Sequence, residues 1–376
     1  MRTRGRRIQS NVKSQRSDLR PLTFDLNMKI GFLIYGSLDT LSGGYMYDRK
    51  LVEYLRAQGD DVEIISLPWR NYAAHLTDNF TFKLPAKFDI LIQDELNHPS
   101  LVAANRKPHL FPIVSLVHHL RCSELRPKWQ NDFYRLVEKK YLQSVDGFIF
   151  NSQTTKGVVN GLIGNSLPDV IAYPPTDRFG EAISEKEISE RATSDKLKIL
   201  FLGNVIERKG LHTLLQALRP LTFDLRLDVI GSLTTDPNYA KQMQNFVTVN
   251  GLASNVQFHG ALNNQPLAEK LRQAHVLVVP SSYEGFGIVY LEGMAFGLPA
   301  IGTTAGAAGE IIEHEKTGYL IEPNDSMTLA TYLSQLASNR SLLAKLSLNA
   351  RRRYTQQPSW NQTASQIRIF LQRMIK

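Results

Sequence analysis

The stretch P-S-S-Y-E-G-F-G-I-V-Y-L-E-G-M-A-F-G-L-P, residues 280–299, decides the fold. It leaves the apolar run 276–280, turns through glycines 285 and 287, continues as a helical segment over 288–296 and re-enters an apolar run at 299–303. Strand, glycine turn, helix, strand is the repeating unit of a buried parallel sheet. Outward from it the same rhythm predicts strands at 198–202, 225–230, 256–259 and 318–321. Helices are predicted between them at 211–218, 238–250 and near 267–274. An earlier series runs through 29–35, 62–66, 88–93, 112–116, 147–151 and 170–173. Its first helix is predicted over 45–58, where Tyr47, Leu51, Tyr54 and Leu55 mark one buried face. Between the two series, Pro174, Pro175 and a polar, acidic stretch to Asp195 read as a linker leading into a surface helix. Two alternating β/α series predict an α/β chain of two doubly wound, Rossmann-like sheets.

The chain has 376 residues, 43% of them hydrophobic, which is enough apolar material for two packed cores. One cysteine, Cys122, excludes a disulfide framework and a multi-cysteine metal site, and favours a reducing, cytoplasmic setting. No apolar run approaches the roughly 18 residues that span a bilayer, and no hydrophobic signal core follows the basic N-terminus. The formal net charge is +9, but residues 1–27 alone carry seven basic and two acidic side chains. The remaining 349 residues therefore hold only +4, which argues against a nucleic-acid partner. The basic segment reads as a disordered, dispensable extension; the alternative is peripheral contact with an anionic inner-membrane face. Trp69, Tyr72, Ala73, Leu76 and Phe80 recur at helical spacing and are expected to pack inward, the alternative being an acceptor- or membrane-facing helix. The octapeptide LRPLTFDL occurs twice, at 19–26 and 218–225, each time shortly before a strand-like run.

Ligands of open parallel sheets sit beyond the carboxyl ends of the strands. That rule selects the loops 36–44, 94–99, 118–124, 203–210 and 281–287. In the last, Glu284 lies in the glycine turn and Glu292 about one and a half turns into the helix. Gly285 and Gly287 let backbone amides approach a ligand, and the helix start adds partial positive charge suited to phosphate. Tyr290 occupies the third glycine position of the dinucleotide fingerprint, so that reading fails. The loop F-L-G-N-V-I-E-R-K-G, 201–210, brings Arg208 and Lys209 to the end of another strand, where a cation neutralises a diphosphate leaving group. It lacks the G-K-[ST] ending of a Walker loop. Ser42, Gly43 and Gly44 open the first helix, and His118 with His119 ends the strand near 112–117. No Asp-x-Asp, His-Glu-x-x-His or paired Cys/His spacing occurs, so no metal site and no bound cofactor are expected.

Together these residues resemble the retaining glycosyltransferases of family 4, over nearly all of 28–376. The Glu-x7-Glu pair is matched by Glu284 and Glu292, and the G-R-x4-K-G stretch by Gly203, Lys209 and Gly210, with Asn204 in place of its Arg. The V-H-D segment is matched by Val117-His118-His119, the N-terminal glycine loop by Gly43 and Gly44, and V-x-F-x-G by 256–260, which carries Phe258. The resemblance implies a GT-B architecture of two domains facing across a cleft, and a nucleoside-diphosphate sugar as co-substrate. It implies an acceptor domain over 28–178, a linker over 179–196, a donor domain over 197–358 and a closing helix over 359–376 that returns to the first domain. By the same implication Glu284 and the amides of Gly285, Phe286 and Gly287 hold the sugar, Glu292 the ribose, and Lys209 with Arg208 the diphosphate. His118 contacts the sugar, Phe258 lies near the base pocket, and the acceptor is a glycan, a lipid-linked sugar or a small molecule. A nucleotide-sugar epimerase or phosphorylase of the same fold, and a non-catalytic binding protein, are the competing readings.

Overall fold

The computed structural model describes residues 27–40, 42–164, 167–175, 178–180 and 183–375. The first sheet contains β1 (Lys29–Tyr35), β2 (Asp61–Leu67), β3 (Ile90–Asp94), β4 (Ile113–Val117), β5 (Gly147–Phe150) and β6 (Asp169–Ile171), all parallel, in the order β2-β1-β3-β4-β5-β6. The second contains β7 (Leu197–Leu202), β8 (Leu225–Ile230), β9 (Val256–Gly260), β10 (Val276–Val278), β11 (Ala300–Thr303) and β12 (Gly318–Ile321). Its strands are also parallel, in the order β12-β11-β10-β7-β8-β9. Both are the doubly wound parallel sheets that the β/α rhythm predicts.

Each sheet is buried on both faces, as parallel sheets require. Along β1, Ile30, Phe32 and Ile34 join the core beneath the Gly43–Ala57 helix, while Leu33 and Tyr35 join the opposite core. The second sheet has one continuous core around Ile199, Leu200, Phe201 and Leu277. Each such side chain contributes about 1.5–3 kcal/mol by leaving water. The Glu185–Ala192 helix, in the stretch expected to link the domains, packs Ile188 against Gly297 of the second lobe. The last helix, Trp360–Met374, packs Ala364, Ile367, Phe370 and Leu371 into the first core, and Arg368 pairs there with Asp60 at 2.8 Å. The chain thus passes between the lobes twice.

Strand order fixes where ligands belong. The winding reverses between β1 and β3 in one sheet and between β7 and β10 in the other. At such switch points the loops diverge and leave a crevice. The loops after β1, β3, β7 and β10 are four of the five selected above from the sequence; the fifth, 118–124, follows β4.

Two local expectations are corrected. The first helix begins at Gly43, two residues early, because Ser42 caps it by accepting the Tyr45 amide at 3.2 Å. The Tyr72–Thr81 helix is turned over: His75 and Asp78 are buried, while Trp69, Ala73 and Phe80 are exposed. Tertiary partners outweigh the apolar spacing here. Tyr35 stacks on His75 at 3.9 Å, and Asp78 accepts from Arg70 and, at 2.7 Å, from Ser100. The first copy of the octapeptide and nearly all of the basic extension lie outside the described residues. The second copy joins the end of the Leu211–Leu218 helix to β8. No described helix is long and apolar enough to cross a membrane.

Candidate active site

The second lobe contributes a charged floor. After β7 the chain passes Gly203, makes a short turn at Glu207–Lys209 and reaches Gly210 at φ +73°. A Cβ on Gly210 would stand 2.1 Å from the Pro280 carbonyl oxygen, so only glycine lets the loops after β7 and β10 lie flush. Lys209 then reaches Glu284: its Nζ donates to Oε1, which also accepts from Ser281 Oγ at 2.6 Å. Its stem lies against Gly203. Arg208 donates to the Tyr283 carbonyl at 2.8 Å and stands 3.9 Å from Glu284 Oε2. Burial pushes the Glu284 carboxyl up, but Lys209, Arg208 and these hydrogen bonds outweigh it and hold it below the usual range. Glu292, on the Ile288–Ala295 helix, is also buried, and burial raises its carboxyl. Its Oε1 accepts from Arg178 Nη1 at 2.9 Å, and Arg178 Nε donates to Asn264 at 2.8 Å.

The first lobe supplies the facing wall. Gly43 opens its helix opposite Ile288, which opens the helix of Glu292; a Cβ on Gly43 would lie 3.8 Å from the Ile288 side chain. Two helix N-termini, each a centre of partial positive charge, therefore meet across the cleft. The His118 ring lies against Gly44, and its Nε2 is 2.9 Å from Asp48 Oδ1. Gly285 is pressed onto the His118 carbonyl, where a Cβ would stand 2.4 Å from the oxygen. Asn151 donates to that same oxygen at 2.7 Å, and Ser152 Oγ to the Gly285 carbonyl at 3.0 Å. Glu310 of the second lobe caps the Gln153–Ile163 helix of the first, accepting from the Gln153 and Thr154 amides at 2.9 and 2.7 Å.

Gly203, Arg208, Lys209, Glu284, Gly285, Gly43, Gly44 and His118 are thus gathered where the two lobes meet. Phe286 is buried, its ring 5.8 Å from Tyr173, and Gly287 caps the helix of Glu292. Phe258 is the exception among the sequence candidates. It lies mid-strand on β9, three strands from β10 and so about 14 Å away, half-buried against the second core. Asp48, Arg178, Glu310 and Asn151 were not foreseen. Only Asp48 left a signal, a carboxylate on the apolar stripe of its helix. The buried trio Glu95, His98 and Glu138 has a metal-ligand composition, but His98 and Glu138 are engaged within the protein. Both ring nitrogens of His98 are bonded, to the Glu95 carbonyl and Tyr72 hydroxyl, and both Glu138 oxygens accept backbone amides.

Residues 183–353 match the family described as Glycosyl transferases group 1. A glycosyltransferase of Methanocaldococcus jannaschii, itself described as uncharacterized, is 33% identical over 169 residues, covering 45% of this chain and 46% of the relative. The chain spans about half the length of the first curated relatives it matches. Sucrose-phosphate synthase from Thermosynechococcus elongatus superposes with a TM-score of 0.78 at 19% identity, over 92% of this chain and 99% of that one. Anabaena HepE, solved in complex with UDP-glucose, superposes with a TM-score of 0.72 at 19% identity, over 92% and 100%. Residues 183–353 thus match the family of group 1 glycosyl transferases, and the described residues share the two-sheet fold of these solved structures.

Proposed function

We propose that the protein is a retaining, family 4 glycosyltransferase that moves a sugar from a nucleoside-diphosphate donor to an acceptor hydroxyl. The observation that carries this is the Glu284–Lys209–Arg208 cluster facing the Gly43–Gly44 helix start and His118. An acidic group that binds sugar hydroxyls and cations that bind a diphosphate stand side by side there. The second lobe holds the donor, with Glu292 at the ribose once Arg178 yields it. The first lobe holds the acceptor. As the glycosidic bond breaks, charge developing on the diphosphate is met by Lys209, Arg208 and the two helix N-termini. Preorganised contacts of this kind are worth about 10²–10³ in rate each. Closure, with Glu310 on the Gln153–Ile163 helix, excludes water from the bond being broken.

The test is incubation with a panel of nucleotide sugars and hydroxyl acceptors, with and without a chelator, reading the anomeric configuration of the product by NMR. Transfer with retained configuration that survives chelation is expected; an inverted product, or turnover abolished by the chelator, overturns the reading. Peripheral contact with an anionic membrane belongs to the same proposal. It is supported by the Lys128–Leu142 helix, which exposes Trp129, Phe133 and Leu136 beside Lys128, Arg135, Lys139 and Lys140. Flotation with anionic vesicles is expected to retain the protein at low salt and to release Trp129→Ala/Phe133→Ala.

A further inference from the structure

The Gly43–Ala57 helix turns Tyr47, Leu51, Val52 and Leu55 inward, and one carboxylate, Asp48, shares that buried face. Asp48 is fully buried; its Oδ1 meets His118 Nε2, and its Oδ2 has no hydrogen-bond partner. Asp94, at the end of β3, is buried beside it. Asp94 Oδ1 accepts the Leu96 amide at 2.9 Å, and its Oδ2 is likewise unpartnered. One polar atom from each of Asp48, Asp94 and His118 lies within 4.8 Å of the other two. Two carboxylates so close in a dry site do not both ionise. Burial, reinforced by Asp48, drives the Asp94 carboxyl up.

The rest of the environment holds the His118 ring where it is. Its edge packs on Tyr47, whose own hydroxyl donates to the Ala172 carbonyl at 2.8 Å. Its backbone carbonyl is gripped by Asn151 and covered by Gly285, the residue next to Glu284. With Nε2 committed to Asp48, the other ring nitrogen is left for a ligand in the cleft.

We infer that Asp48 is a positioning residue for sugar transfer: buried beside Asp94, it holds the His118 ring as a fixed hydrogen-bond donor beside the Glu284 loop. What His118 touches rests on the transferase reading; the Asp48–His118 couple does not. The titratable groups facing the ring are Asp48 from the helix and Asp94 and Glu95 from the end of β3 and the turn after it. Burial lowers the imidazole, but Asp48, hydrogen-bonded to its Nε2, outweighs it and pushes it up to about 9.

The experiment is ring NMR of histidine-labelled protein, with the His118 signals identified by their loss in His118→Gln. In the wild type the ring should stay protonated to about pH 9, and in Asp48→Asn the midpoint should fall by at least one pH unit. Asp48→Glu should restore the high midpoint and most of the activity. In turnover, Asp48→Asn should lose kcat at pH 8 by about tenfold more than at pH 6, with KM little changed. A wild-type midpoint below 7, which needs no variant to fold, overturns the inference. So does a folded Asp48→Asn whose midpoint is unmoved. A midpoint that shifts as expected in a protein with no transfer activity leaves the couple standing and removes the transferase reading.

Discussion

The two lobes handle buried charge in opposite ways. In the second, each acid of the Glu-x7-Glu pair is matched by a cation, Glu284 by Lys209 and Glu292 by Arg178. In the first, Asp48, Asp94 and Glu95 are buried together, and each has a carboxylate oxygen without a partner. A matched pair keeps its charge in place and can exchange its cation for a ligand. A crowded set of acids instead keeps protons that solvent would remove, and so acts on its neighbours through protonation. On the function proposed above, the second lobe trades ions and the first holds protons.

The largest expected effect breaks the trade. Glu284→Ala and Lys209→Ala should each reduce transfer by about 10²–10³, measured as kcat/KM, with far-UV circular dichroism unchanged. Wild-type turnover in either variant would remove the second lobe from the comparison. A smaller effect sharpens it: Arg178→Ala leaves Glu292 buried without its cation. That should cost about 1–3 kcal/mol, reduced by the partial exposure of the arginine. Its melting temperature should fall a few degrees in the free protein and rise more than the wild type's on adding nucleotide sugar.

The smallest effect concerns the proton-holding lobe. Burial, with Glu138 close by, pushes Glu95 up to about 8. An acid raised in the folded state binds its proton more tightly there than when unfolded. Stability therefore declines as pH rises from the unfolded value near 4.5 towards 8. Glu95→Gln should remove that slope, so its melting temperature relative to wild type should be higher at pH 8.5 than at pH 5. An equal difference at the two values would show that Glu95 is ionised throughout.

The strands were legible because parallel-sheet burial writes short apolar runs that stop at glycine or proline. The 225–230 and 318–321 predictions coincide with β8 and β12. The glycine-turn carboxylate and its lysine were legible because both sit where strands end. What failed was any feature decided by a partner distant in sequence. The Tyr72–Thr81 helix hides its polar side because Tyr35 and Ser100 wait for it. Glu310 caps a helix more than 150 residues away, and Arg178 reaches Glu292 across 114 residues. Phe258 shows the converse: a motif can match while its strand lies at the outer edge of the sheet.

The return of the Trp360–Met374 helix to the first lobe has a mechanical consequence. Two covalent passages along one body restrict the halves to swinging, as covers do about a spine, and forbid them to drift apart. A chain cut before Ser359 would lose four core side chains and one of its two passages at once, leaving a single tether and no preferred axis for the swing.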